Sequence, residues 1–260
     1  VEFAPLSAEN QAAALAYLRR SPYRNALPLS NASQLRARCD VLVAEASGRI
    51  CGVASTYHDL PIPNLTFAVN PSVALGELLD ALADRSPRLR VGTVWALLPE
   101  DRYRMLGRSA KIEGYDIEYQ MVVEPETLRA PDGPPARRLT PADLPALEEL
   151  AQASGLTVWH PRALELGPAF GCFDGERLVA MAATHFATSE IVEIGHIATH
   201  PDARRRGYAS ACTAALAQAA FVLAPRVFLM VLEHNTAALS AYKRLGFRSV
   251  DRFHLTRFTL

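Results

Sequence analysis

Lysine is almost missing from this chain: Lys111 and Lys243 stand alone among 27 basic residues, and the rest are arginine. Acidic residues also number 27, so the formal net charge is zero. No broad basic field is available to hold a polyanion, and nucleic acid is not expected as a main partner, although a local basic loop stays open. Cysteine is sparse too. Cys39, Cys51, Cys172 and Cys212 are widely spaced, with no C-x-x-C pair and no companion at metal-ligand spacing, which argues against both a disulfide framework and a metal centre. Three of the four lie in apolar runs and read as small buried hydrophobes of a reducing compartment. Long hydrophobic runs are also lacking. None approaches the ~20 residues of a spanning helix, and the first residues show no basic stretch followed by an apolar core. These absences lead to the expectation of a soluble cytoplasmic protein with no membrane partner.

What the chain has is apolar bulk and a repeat. Half of its 260 residues are apolar, enough for one large core or two modest ones. Between Glu124 and Pro135 the apolar periodicity stops and proline and polar residues take over. This stretch reads as a linker over 125–135 between a domain at 1–124 and another at 136–260. The two sides look like diverged copies. Leu6-Ser7 and the helical run to Leu18 parallel Leu139-Thr140 and the run to Ala151, each with a cap and an apolar i, i+3/i+4 stripe. The alternating stretch Val41–Ser55 about Ser47-Gly48 parallels Gly171–Thr184 about Asp174-Gly175, and both read as hairpins. Leu65–Val69 with Pro71 parallels Ile191–Ala198 with Pro201, each followed by a helix and a further strand. The near-constant offset over three element types argues for two copies of one fold.

The second copy carries the chemistry. A β-branched run from Glu190 ends in Thr199-His200-Pro201 and passes through Arg204-Arg205-Arg206-Gly207-Tyr208-Ala209-Ser210 into an alanine-rich helix. The first N–H groups of a helix have no intrahelical partner and sit at the positive end of its dipole, so they make an anion site. Gly207 lets a pyrophosphate approach the backbone, and the arginines add charge-assisted hydrogen bonds. Downstream, Val227–Leu232 reads as a strand. Asn235 then caps a helix on which Ala238, Tyr242 and Leu245 share a face, and Gly246 suits a left-handed stop.

Together, Arg204-x-x-Gly207-x-Ala209 and the later set Asn235, Ala238, Tyr242, Gly246 and Phe247 resemble the GNAT superfamily of acyl-CoA-dependent N-acetyltransferases. The resemblance covers about Ala136 to Leu260. It implies an α/β (α+β) chain of two tandem GNAT-like domains, each with a mixed, mostly antiparallel sheet flanked by helices. The first copy is degenerate. After Pro71 it reads Ser-Val-Ala-Leu-Gly76, without the loop's arginine or second small residue, and Asp101–Gly107 lacks the Asn-Ala-Tyr spacing. It is expected to keep the fold but not the CoA loop.

Glu193, between Val192 and Ile194 in a strand expected to be buried, needs an explanation as a carboxylate. It stands eleven positions before Arg204, and the resemblance gives a glutamate at that place the role of general base; the residue-level alternative is a structural carboxylate paired with an arginine. His196 is the competing base, acting directly or through a water. With His200 it also has the look of a metal pair, but nothing completes a metal set. Gly195 marks a bulge, and the resemblance assigns the backbone groups of Ile197, Ala198 and Thr199 to the pantetheine arm. By the same resemblance Arg204, Arg205, Arg206, Gly207, Tyr208, Ala209 and Ser210 hold the pyrophosphate, Asn235 touches the cofactor or caps its helix, and Tyr242 is the general acid.

The implied reaction is direct attack of a primary amine on acetyl-CoA in a ternary complex, with acetyl-CoA as co-substrate and no metal. Gly155–Leu166, with Trp159, His160 and Arg162, occupies the place of the acceptor pocket. Amino acids, amino sugars, aminoglycoside-like compounds and protein N-termini all remain open as acceptors. The rival readings are a non-catalytic acyl-CoA-binding module, a transferase of longer acyl chains and a tRNA-dependent aminoacyl transferase of related fold. The protein is expected as a monomer or homodimer.

Overall fold

The structure, a computed structural model, describes residues 1–156, 158–160 and 162–260. Thr157 and Pro161, both in the expected acceptor segment, lie outside the described residues. In chain order the first half contains β1 (Glu2–Pro5), α1 (Gln11–Leu18), α2 (Ala26–Ala32), β2 (Cys39–Ala46), β3 (Arg49–Tyr57) and β4 (Asn64–Val69). It continues with α3 (Leu75–Arg85), β5 (Val94–Pro99), α4 (Glu100–Leu106) and β6 (Lys111–Val123). The second half contains β7 (Arg137–Arg138), α5 (Leu144–Ser154), α6 (Ala163–Leu166), β8 (Ala169–Asp174), β9 (Arg177–Ala187) and β10 (Val192–Thr199). After these come α7 (Tyr208–Ala220), β11 (Val227–Leu232), α8 (Thr236–Arg244) and β12 (Arg248–Thr259). Each half therefore runs strand, two helices, hairpin, strand, helix, strand, helix, strand.

The chain packs as two units, Val1–Glu118 with Asp251–Leu260, and Tyr119–Val250. The units are not cut where the composition changes. A sequence reading keeps the last ten residues with the half that precedes them, whereas here they belong to the first unit. The physical reason is a backbone ladder: β12 lies antiparallel on β5, from Phe253 opposite Pro99 to Phe258 opposite Val94. Strand pairing depends on backbone donors and acceptors and on a shared apolar face, not on chain order.

In the first unit, β1 to β4 form an antiparallel meander, β4 pairs β5 in parallel, and β12 follows. The β2–β3 turn has both central residues at positive φ, Ser47 at 50° and Gly48 at 73°, the twist that a tight hairpin needs. Helix α3 carries Leu75, Leu78, Leu79 and Leu82 on one face, and they share a core with Phe67, Leu98 and Phe258.

In the second unit the strand order is β6-β11-β10-β9-β8-β7. β10 runs antiparallel to β9 and parallel to β11. A register shift between Gly195 and Ala198, not simple alternation, sorts the side chains of β10. Val192 and Ile194 face a core built with Cys212, Leu216 and Ala217 of α7, while Ala198 joins Leu147, Leu150 and Ala151 of α5. The start of α5 is secured by a capping box in which the Thr140 N–H donates to Asp143 Oδ2 at 2.8 Å. Cys39, Cys51, Cys172 and Cys212 are all buried free thiols. Cys172 on β8 and Cys212 on α7 bring their Sγ atoms within 3.4 Å.

Candidate functional site

The expected features follow one another along the chain, from β10 through the loop into α7 and on to α8. At its head, the pairing of β10 with β9 shifts register twice, between Glu193 and Ile194, where His185 of β9 is passed over, and again between Gly195 and Ala198. The bulge is real, and it leaves His196 at φ 45°, a left-handed backbone that a non-glycine residue adopts only under constraint. The parallel pairing of β10 with β11 covers Val192–Val227 and Glu193–Phe228.

Glu193 is 5% exposed. Its partner is not an arginine but His185, whose Nδ1 lies 3.0 Å from Oε1 of the carboxylate. His185, on the neighbouring strand β9, belongs to no motif and was not expected at the site. Its other ring nitrogen, Nε2, accepts from the backbone N–H of His196 at 3.2 Å. The signal that marks it in the sequence is a single histidine, beside Thr184, in the otherwise apolar run Leu178 to Ala187, visible only once the register of β9 on β10 is known.

His196 is partly buried, its ring packed edge-on against His185 at 4.2 Å and against Trp159 at 5.2 Å between centroids. Burial, with the nearby His185 and His160 rings, depresses its pKa to about 2. A histidine held that far down is neutral at physiological pH and a weak proton acceptor. Of the two histidines that look like a metal pair in the sequence, His200 accepts from the Asp202 N–H at 3.3 Å and meets Arg177 at 2.7 Å. Among the described residues no group of three or more His, Cys, Asp or Glu side chains could hold a metal ion.

Beyond the bulge, Ile197 and Thr199 are partly buried and Ala198 is buried. The Thr199 Oγ1 atom is buried and without a hydrogen-bond partner, as is Trp159 Nε1. Buried polar atoms of this kind need a ligand or water to satisfy them. Arg204 is extended, Arg205 sits at φ 64° and Gly207 at φ 82°, so the chain turns sharply just before α7 begins at Tyr208. The N–H groups of Tyr208, Ala209 and Ser210 belong to the first turn of this 13-residue helix and have no acceptor within it. Arg204 and Arg205 are exposed; Arg206 is loosely paired with Asp174 at 3.8 Å.

On α8, Asn235 caps as expected, its side chain accepting from the Ala238 N–H at 3.2 Å. Tyr242 is 8% exposed and packs by Phe247, and burial pushes its hydroxyl up to about 12. Gly246 ends the helix region at φ 97°, and a Cβ there would meet the Thr127 carbonyl oxygen at 1.9 Å. The equivalent loop of the first unit is built differently: Gly76 is the second residue of α3, not a left-handed residue ahead of the helix.

Comparison with known proteins agrees with this architecture. Residues 169–255 match the family model of the FR47-like protein. A GCN5-related N-acetyltransferase from Sphaerobacter thermophilus superposes with a TM-score of 0.68 at 17% identity, covering 98% of this chain and 94% of its own. A tandem GNAT protein from the clavulanic acid biosynthesis pathway gives 0.65 at 15% identity, covering 99% and 97%. An acetyltransferase from the GNAT family of Colwellia psychrerythraea gives 0.62 at 14%, covering 100% of both chains. No curated protein matches the sequence. Identities this low speak to the fold, and the fold is plain: the chain is a tandem GNAT-fold protein with an FR47-like segment over residues 169–255.

Proposed function

We propose that the protein is an acyl-CoA-dependent N-acetyltransferase whose chemistry resides in the second unit, with Glu193 as general base and Tyr242 as the donor to the leaving sulfur. The observation that carries the reading is a buried carboxylate on a bulged strand that leads, through Gly207, to the free N–H groups of a helix. In this reading the N–H groups of Gly207, Tyr208, Ala209 and Ser210, with Arg204, Arg205 and Arg206, take the pyrophosphate of acetyl-CoA. The backbone of Ile197, Ala198 and Thr199 takes the pantetheine arm, and the unsatisfied Thr199 hydroxyl suits one of its amide groups. Asn235 serves its helix as a cap and, in this reading, also touches the cofactor.

The amine nitrogen attacks the thioester carbonyl carbon, its proton passes to the Glu193 carboxylate, and the carbon–sulfur bond breaks. Holding both reactants in place supplies much of the acceleration. With a pKa near 12, Tyr242 stays a phenol, so it stabilises the departing thiolate by a hydrogen bond and the thiolate's proton comes finally from solvent. His196, with its low proton affinity, is left to shape the pocket rather than to serve as base. The unsatisfied Trp159 N–H lies beside His196 and suits a hydrogen-bond acceptor on the acceptor amine. The first unit, without a left-handed glycine ahead of α3, keeps the fold and holds no CoA. The protein works in the cytoplasm, as a monomer or homodimer.

The test is acetyl-CoA binding by calorimetry, followed by release of free thiol against amino acids, amino sugars and aminoglycosides, with Glu193→Gln as the control. Expected are binding by both proteins and a fall of ~100-fold in kcat for the variant. Binding without thiol release from the whole panel would favour an acyl-CoA-binding module instead.

A further inference from the structure

The bulge in β10 accounts for more than a splayed strand. A Cβ at Gly195 would lie 2.3 Å from Cε1 and 2.4 Å from Nε2 of His185, so the imidazole rests directly on the glycine backbone. One residue on, the left-handed turn at His196, φ 45°, aims its N–H at Nε2 of that ring, 3.2 Å away. On the far side of the ring, Nδ1 meets Glu193 Oε1 at 3.0 Å. Two consecutive irregular residues thus seat one side chain, and that side chain contacts the buried carboxylate.

We propose that His185 is a positioning residue for Glu193: the His196 N–H fixes the imidazole tautomer, and the imidazole fixes the carboxylate. The proposal rests on the assignment of Glu193 as base. Its logic is a donor and acceptor count. An amide N–H can only donate, so Nε2 must carry its lone pair, and the ring's single proton resides on Nδ1. That proton can only be donated, so Glu193 accepts it as a carboxylate through Oε1. Oε2 is left as the oxygen that receives the proton of the amine. The other titratable groups bearing on this cluster are His196 and His160, and His196 is neutral at physiological pH.

The experiment compares His185→Phe, His185→Asn and Glu193→Gln, with near-ultraviolet circular dichroism to verify folding. Phe keeps ring volume and loses both polar atoms. Asn places an amide donor where Nδ1 stood. Against the amine panel, H185F should lose ~10-fold or more in kcat with the KM for acetyl-CoA unchanged, and H185N should recover most of the loss. Adding H185F to E193Q should cost little further, because the two act as one unit. Loss of kcat in E193Q with wild-type turnover in H185F would overturn the positioning role and leave the base assignment standing. Unchanged turnover in E193Q would overturn the base itself. Independently of activity and of variant folding, ¹⁵N spectra of the imidazole in the wild-type protein should show a protonated Nδ1 and a bare Nε2 at neutral pH. A proton on Nε2 would reject the proposal outright.

Discussion

The volume that a side chain at position 195 would fill is taken by the imidazole of His185, whose Cε1 stands 2.3 Å from where the Cβ would be. Gly195 and His185 are ten positions apart in the chain and cannot both be altered freely.

Replacing Gly195 by alanine is therefore an overpacking change at the site itself. The ring must move or the strand must, and either breaks the contact with Glu193. Stability should fall by about 1–3 kcal/mol, read from urea unfolding. Turnover should fall more steeply than acetyl-CoA binding, since the loop proposed to hold the phosphates is untouched. Wild-type kcat in a stably folded Gly195→Ala protein would mean that the His185 contact has no catalytic consequence.

Gly207 offers the opposite case. No heavy atom lies within 4 Å of a Cβ built there, but its φ of 82° is one that other residues rarely adopt. Gly207→Ala should cost about 1 kcal/mol of stability through backbone strain alone, with a modest rise in the Kd for acetyl-CoA. Gly207→Glu sets a carboxylate at the head of α7, where it competes for the free N–H groups and repels a pyrophosphate. Its Kd should rise ~10-fold or more beyond the alanine variant, by calorimetry. Equal affinities for the two variants would remove the loop as the phosphate site.

Much of this site was legible in the sequence because its parts are local. A glycine ahead of a helix, an asparagine cap and a tyrosine on a helical face all announce themselves within a few residues. His185 did not, because its meaning lies in a cross-strand register that two shifts set, and periodicity cannot place such shifts to the residue. The expected partner of Glu193, if structural, was an arginine; the strand beside it supplied a histidine instead. The same limit applies to Asp251–Leu260. Its alternation marks a strand, but nothing local says that it adds to β5, for a strand pairs with whichever edge matches its apolar face.

Tyr242 links the site to alkaline behaviour. Burial raises its pKa from 10.0 to about 12. The folded state therefore holds this proton where the unfolded chain releases it, and the associated stability is complete below pH 10 and is lost as pH rises toward 12. Tyr242→Phe should flatten that part of the stability profile in urea titrations. In turnover, the loss of the hydroxyl should cost ~10-fold or more in kcat, since one positioned donor to the leaving group is absent. No change in kcat would leave Tyr242 as a packing residue only.

His196 makes the complementary prediction on the acid side. Its pKa falls from 6.5 to about 2, first because it is buried and then because His185 and His160 lie near it. The unfolded chain binds this proton below about pH 6.5 while the folded protein refuses it, so stability is full above that pH and drains as pH falls toward 2. The slope from one such group is about 1.4 kcal/mol per pH unit. His196→Asn removes the titration while keeping a polar side chain next to Trp159, and its urea midpoint should fall less between pH 6 and pH 4 than that of the wild type. The substitution should also leave the kcat profile near neutral pH in place, because a histidine that stays neutral throughout that range contributes no ionisation to it. An altered limb near pH 6 in the variant would instead make His196 the titrating base and remove Glu193 from that role.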